Sequence, residues 1–431
     1  MQRALLVLFA TLAACGENPD PTAGSIVPSI PGTGTTPVHG TVVNRFGERV
    51  SGARVGIGTA SPVTTDAQGK FTVNFVAATY DAAVVVDDPA VPLSPVSRAV
   101  VYQRLTRRDP LLFVPGLRVQ PGTENRSTTL QSLSTSGLSG VPLLWAFTNA
   151  SGFVAAGVVT GAEMHFLWNG APGAVNPGSL VAIIASAAQG ITASGHVPVT
   201  AGDAPISVTV PVTAASTIAL SGTSRPPAGC SVASHDVVVP ASDGTTVTAV
   251  RFIAPNVPGI SAVTLDSIIG FTNEVPLSLR ISTTCLPPSA TSVVARHLSA
   301  PKTTFDIDVP APPVITSPAS GGTASSAAPL EWSAPDGSVS VLHFDRVERN
   351  GFISGTLDLV TTSTSTVFPP LARLGARVVP GVGAFGWRVE AWGGLTGTDA
   401  LAAASGFGAL LAGTGDFSHG VSESSSVTIL P

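Results

Sequence analysis

The sequence predicts an all-β protein built of tandem β-sandwich domains on a flexible N-terminal tether. Three observations carry this. Apolar runs of strand length recur along the chain, separated by turn residues at even spacing. Gly 45 and Pro 37 among 431 residues supply those turns without reaching low-complexity levels. Hydrophobic residues make up 44% and charged residues 11%, a balance that excludes global disorder in a chain long enough for several cores. The formal net charge of −5 leaves no electrostatic case for nucleic acid.

The first elements concern location. Arg3 supplies a positive n-region, and Ala4 to Leu12 form an apolar stretch too short to span a bilayer. Leu12-Ala13-Ala14-Cys15 resembles the lipobox of bacterial lipoproteins at all four positions. The resemblance implies that residues 1–14 are a signal peptide and that Cys15 carries a thioether-linked diacylglycerol and an N-acyl chain, which makes the membrane a partner. More than one chain suits the task, because a single one holds a membrane only marginally. An ordinary signal peptide cut nearby, or an anchor that stays, is the alternative. Gly16 stands where an aspartate retains some lipoproteins at the inner membrane, which favours the outer membrane. Residues 15–37, rich in Pro, Gly, Thr and Ser, read as the tether. With one cysteine given to lipid, Cys230 and Cys285 remain as an even pair. In an oxidising envelope they are expected to form a disulfide, against the alternative of two buried free thiols.

Residues 38–106 read as a first sandwich, with strands at Val38 to Val43, Ala53 to Ile57, Phe71 to Phe75 and Ala82 to Val86. Asp66 and Gly69 suit a tight turn, the carboxylate bonding turn backbone and the glycine taking positive φ. The segments Gly40-Thr41-Val42-Val43, Val50-Ser51-Gly52-Ala53-Arg54-Val55 and Thr65-Asp66-Ala67-Gln68-Gly69-Lys70-Phe71 resemble carboxypeptidase regulatory-like domains. That family implies a small transthyretin-like sandwich without peptidase chemistry. Residues 89–109 read as a connector holding a short strand.

Two further sandwiches without a family resemblance are expected at 107–212 and 213–310. Their strands include Leu111 to Val114, Leu143 to Phe147, Glu163 to Trp168, Leu180 to Ser186, Ile206 to Val212, Val237 to Val239, Val247 to Ile253, Leu277 to Ser282 and Phe305 to Val309. Val141 to Ala162 lacks any charge, but Pro142 and its glycines suit a hairpin better than a membrane helix. In 311–431, Pro329-Leu330-Glu331-Trp332-Ser333, the run Val339 to Val347, and Phe385-Gly386-Trp387-Arg388-Val389-Glu390-Ala391 resemble a fibronectin type III domain, an Ig-like sandwich. The resemblance implies that Trp332 and the Trp387 strand face one core. A Gly/Ala-rich insertion, about 393 to 423, precedes the last strand and holds at most a brief helix.

Chemistry is sparse. Neither Gly-x-Ser-x-Gly nor His-Glu-x-x-His occurs, and the seven histidines are scattered without an i, i+4 pair. Ser299-Ala300-Pro301-Lys302 matches Ser-x-x-Lys by letter only, since proline interrupts the helix that motif needs. Asp306 and Asp308 fall on one face of a strand and read as solvated edge charges. Trp145, Trp168, Trp332 and Trp387 read as core, and Trp392, beside Gly393-Gly394, is the one candidate for exposure, against the alternative that it too is buried. No catalytic residue, cofactor or metal site is assigned. The sequence therefore reads as a non-enzymatic, lipid-anchored envelope protein that presents sandwiches to an unknown protein or glycan ligand. A periplasmic scaffold of an outer-membrane complex is one alternative. A hydrolase in 110–310 using His165, His235 and Asp306 is the other.

Overall fold

The computed structural model describes residues 36–44, 48–75, 77–88, 96–114, 124–137, 143–150, 153–159, 163–186, 190–241, 246–253, 262–285, 290–298, 304–347, 353–369, 371–375, 383–403 and 416–430. Cys15, the tether up to residue 35 and Ser299 to Lys302 lie outside them, whereas Thr36 and Pro37, expected in the tether, already belong to the first strand. The chain begins with β1 (Thr36–Asn44), β2 (Arg54–Ile57), β3 (Val63–Thr64), β4 (Lys70–Phe75), β5 (Tyr80–Asp88), β6 (Val96–Leu105) and β7 (Leu111–Val114). It continues with β8 (Glu124–Ser136), β9 (Leu143–Thr148), β10 (Val154–Val158), β11 (Met164–Gly170), β12 (Asn176–Ser186), β13 (Gly190–Ala201), β14 (Ile206–Pro211) and β15 (Thr213–Ala214). Then come β16 (Ser216–Arg225), β17 (Cys230–Pro240), β18 (Thr246–Ile253), β19 (Val263–Phe271), β20 (Leu277–Cys285), β21 (Thr291–Leu298) and β22 (Thr304–Asp308). The last part holds β23 (Val314–Ser317), β24 (Gly322–Ser325), β25 (Leu330–Ser333), β26 (Val339–Val347), β27 (Ile353–Thr361), β28 (Ser365–Thr366), β29 (Gly383–Gly393), α1 (Thr398–Leu401), β30 (Phe417–Val421) and β31 (Ser425–Leu430). The fold is all-β, as the sequence predicts, and no helix among the described residues is long and apolar enough to cross a membrane. The uncharged stretch after residue 141 forms the antiparallel pair β9 and β10.

Two long sheets organise the molecule. One runs β18-β17-β20-β21-β30-β29-β26-β27-β6-β5-β2-β3, and the other β10-β9-β12-β13-β19-β16-β22. Both have strands covered on each face, which explains the continuous apolar runs, since side chains alternate and both sides must be apolar. In β5, Ala82, Val84 and Val86 enter a core closed by β1, β4 and β7. Ala83 and Val85 enter the opposite core, closed by β25 and containing Trp332, Phe344 and Trp387. Trp332 and Trp387 thus share a core, and Phe344 stacks on Trp387 at 5.4 Å. In β9, Leu144 and Ala146 pack toward β17 and β20, while Trp145 and Phe147 pack toward β8 and β11. The Asp66 turn forms as its residues dictate: Oδ1 accepts the N–H groups of Gln68 (2.9 Å) and Lys70 (2.8 Å), and Gly69 has φ +69°.

Strand pairing ties the expected modules together. The connector strand is longer than its sequence suggests: β6 spans ten residues, paired with β5 on one side and in parallel with β27 on the other, Ser97 opposite Gly355 through Tyr102 opposite Val360. β7, past the expected division at 106, pairs in parallel with β1. β30 pairs with both β21 and β29, joining the middle of the chain to its end. Each of these pairings occupies a strand edge that would otherwise offer unpaired backbone groups.

The second long sheet closes through one tight contact. β13 and β19 meet at Gly190 and Gly270, and a β-carbon on Gly270 would overlap the Ile191 carbonyl. Gly270→Ala is therefore expected to cost about 2–3 kcal/mol as overpacking. Gly386→Ala, whose added carbon meets nothing within 4 Å, should stay within about 0.5 kcal/mol of the parent. Urea denaturation of both variants checks this, and equal midpoints would refute the close approach.

Candidate functional site

The residues singled out from sequence are placed as follows. Cys230 and Cys285 are bonded to each other, directly opposite across β17 and β20. His165, His235 and Asp306 lie on three different sheets, on β11, β17 and β22. The exposed His165 Nδ1 sits 3.2 Å from Thr129 Oγ1. Asp306 and Asp308 flank Arg225 at 2.8 and 3.1 Å on an edge strand, the solvated arrangement their spacing implied. Trp392 corrects the expectation of exposure: it is 5% exposed. The chain returning as β30 lays His419 opposite it, the rings stacked at 3.9 Å, with Phe417 at 5.4 Å.

His235 forms a pair the sequence did not reveal. Its Nε2 is 2.8 Å from Ser224 Oγ, and both residues are fully buried. Burial lowers the imidazole pKa, opposed in part by the Asp236 charge. Asp236 does not orient the ring. Its carboxylate accepts two bonds from Arg251, at 2.9 and 3.1 Å, and one from Ser234 at 3.2 Å. A serine with no access to solvent, beside a histidine whose far nitrogen meets no carboxylate among the described residues, lacks both the approach and the positioning that a nucleophile needs. The pair satisfies two buried polar groups.

A second polar cluster crosses four neighbouring strands. His343 on β26 is held through Nδ1 by Asp358 on β27, and its Nε2 lies 3.0 Å from Glu390 Oε1 on β29. Glu390 Oε2 is 3.1 Å from His419 Nε2 on β30, and Arg388 Nε is 3.4 Å from Oε1. Alternation puts these groups on the face that carries Val341, Val360 and Trp392 into the first core. Burial alone would depress the His343 imidazole, yet the two carboxylates hold it up at about 10. Burial would likewise raise Glu390, and the two imidazoles instead hold it well below the usual carboxylate range. The cluster is an ion-paired clasp on β30. Among the described residues no group of three side chains is arranged to hold a metal ion.

A groove of about 790 Å³ opens where the first strands meet the last part of the chain. Its floor is apolar and buried: Ala83 and Val101 from the long sheet, and Leu371 and Leu374 from the turn before β29. Its rim is polar, with Asn74, Asp81, Arg104 and Arg373. Arg373 donates to the carbonyls of Gly58 and Ala60, pinning that turn to the loop after β2. Arg104 sits at an irregularity where β5 and β6 shift register, with φ 60°, the one non-glycine residue in the left-handed region among those described. Its N–H donates to Asp81 Oδ1 at 2.9 Å. Such bulges re-aim a side chain, here to the rim of the groove. No motif in the sequence announces this site, because its parts lie about 290 residues apart, Ala83 against Leu374.

No family model matches the sequence, and no curated protein matches it. Among solved structures, two variants of the shaft pilin SpaA of Lactobacillus rhamnosus GG align over 43% and 44% of this chain and 97% of theirs. Both are 11% identical, with TM-scores of 0.15 and 0.14. The major pilin subunit BcpA of Bacillus cereus aligns over 63% of this chain and 97% of its own, at 10% identity and a TM-score of 0.13. Scores this low fall short of a common overall fold.

Proposed function

We propose that this chain is a non-enzymatic, lipid-anchored envelope protein whose β-sandwich body is presented from the outer membrane to bind a protein or glycan. The observation that carries the reading is the parallel pairing of β6 with β27. It places β2, β3, β5 and β6 of the first module and β26, β27, β29 and β31 of the last in one hydrogen-bonded sheet. A body so joined holds its distal surfaces in fixed orientation relative to the anchored end, which separately hinged modules would not do. The groove at that junction, with a buried apolar floor and a polar rim, has the size and composition of a binding site.

Protease treatment of intact cells, beside a Cys15→Ser variant, tests this. The parent protein should be digested on whole cells, and the variant should leave the membrane fraction. A variant that stays with the membrane would remove the lipid anchor from the account. Protection of the parent until the outer membrane is opened would place the body in the periplasm and favour the scaffold alternative.

A further inference from the structure

We propose that the groove between the first and last modules binds an extended acidic peptide segment, with Arg104 as the residue that selects for its carboxylate. The proposal rests on the reading of this chain as a binding protein and is independent of the lipid anchor. Three observations carry it.

The first is charge. The rim holds two guanidinium groups, Arg104 and Arg373, against one carboxylate, Asp81. This is a locally cationic site on a chain of net charge −5. Arg373 has part of its donor set committed to backbone carbonyls, whereas the Arg104 guanidinium takes no hydrogen bond or ion pair among the described residues. The second is conformation. A left-handed arginine costs of order 1 kcal/mol that a glycine or asparagine would not. That cost is borne at a position where the side chain stands on the rim of the groove. The third is backbone. Asn74 lines the groove from β4, and β4 is an edge strand of its sheet, ordered β4-β1-β7. An extended segment can pair its backbone with such an edge while a small side chain rests on Leu371 and Leu374. A peptide is favoured over a sugar because stacking on a sugar needs an exposed aromatic face. The one aromatic ring of the lining, Tyr80, is 3% exposed.

The test is calorimetric titration of the detergent-extracted full chain with the acetylated peptide amide Glu-Ala-Val-Ala-Glu. Its Gln-Ala-Val-Ala-Gln analogue and polygalacturonate are titrated in parallel. The acidic peptide should bind, less tightly at high salt, and the neutral analogue about tenfold more weakly, the size of one charge-assisted hydrogen bond. Arg104→Asn should cause the same loss, because asparagine accepts the left-handed conformation and only the cation disappears. Asp81→Asn keeps an oxygen for the Arg104 N–H and removes the opposing charge, so it should tighten binding by about threefold. A folding defect would not tighten anything. Equal affinity for both peptides, indifference to Arg104→Asn and Asp81→Asn, or binding of polygalacturonate without the peptides would each overturn the proposal. So would the absence of heat with every probe. None of these results depends on where the protein sits, so failure here and failure of the cell-surface experiment are separable.

Discussion

Replacing both sulfurs, Cys230→Ser with Cys285→Ser, is expected to destabilise the middle of the molecule by about 4 kcal/mol on the chain-entropy account. The bond closes a loop of 55 residues in sequence separation. That loop contains β18 and β19 and thus much of the wall around Val237, Ile269 and Ile281. In the unfolded chain the link removes conformations that the reduced chain regains, and longer loops gain more from closure. In the folded chain the pairing of β17 with β20 runs from Cys230 opposite Cys285 to Val238 opposite Ser278, so the bond fastens one end of a ladder already made. The loss should therefore appear as faster hydrogen exchange in β17, β18 and β20, with β26 and β29 little changed at first. β30 bridges the two regions, and its exchange should rise next. Oxidised and reduced protein with equal urea midpoints would mean that the ladder alone fixes the loop.

How much of this architecture the sequence discloses depends on what each strand contacts. β9 and β12 are legible because Leu144, Ala146, Trp145 and Phe147, or Val181, Ile183 and Leu180, are apolar on both faces. β8, at 13 residues the longest strand among the described residues, is not legible as one. It reads Glu-Asn-Arg-Ser-Thr-Thr-Leu, and its inward positions are Arg126, Thr128 and Leu130. Thr128 is buried because Trp168 Nε1 donates to its hydroxyl at 2.8 Å, and Arg126 because it pairs with Asp203. Polar groups that find partners across the fold leave no hydrophobic alternation to read. β13 hides behind Gly195 and Pro198, and the joining of β6 to β27 is a contact between segments about 260 residues apart, which local pattern does not encode. The clasp left one trace in the sequence. His343 and Glu390 stand with the parity of Val341 and Trp392, charged residues on faces that otherwise point inward. The misplacement of Trp392 has the same source: its cover comes from β30, a strand inside the stretch that reads as a Gly/Ala-rich insertion.

That clasp yields the second large effect, Glu390→Gln. It leaves His343 with Asp358 alone and His419 with no carboxylate, and it should cost about 3 kcal/mol near pH 6, as breaking a buried ion pair does. The pH dependence follows from the two directions of shift. His343 is raised from 6.5 to about 10 in the folded protein. The folded state keeps its proton while the unfolded state gives it up, so this contribution is complete below 6.5 and is lost as pH rises toward 10. Glu390 is depressed below 4.5, so its contribution is present above 4.5 and is lost as pH falls through its lowered value. The clasp is at full strength between those limits. Urea midpoints of the parent should be highest there and decline from pH 6.5 to pH 10. In Glu390→Gln the decline should be shallower, since one of the two anions that hold the imidazolium is gone. In His343→Gln it should be shallower still, because the imidazole that keeps its proton toward pH 10 in the folded state is gone. A parent midpoint that stays level over it would show that His343 is neutral in the folded protein, and β30 would then be held by its strand pairing with β21 and β29 and by packing against Trp392.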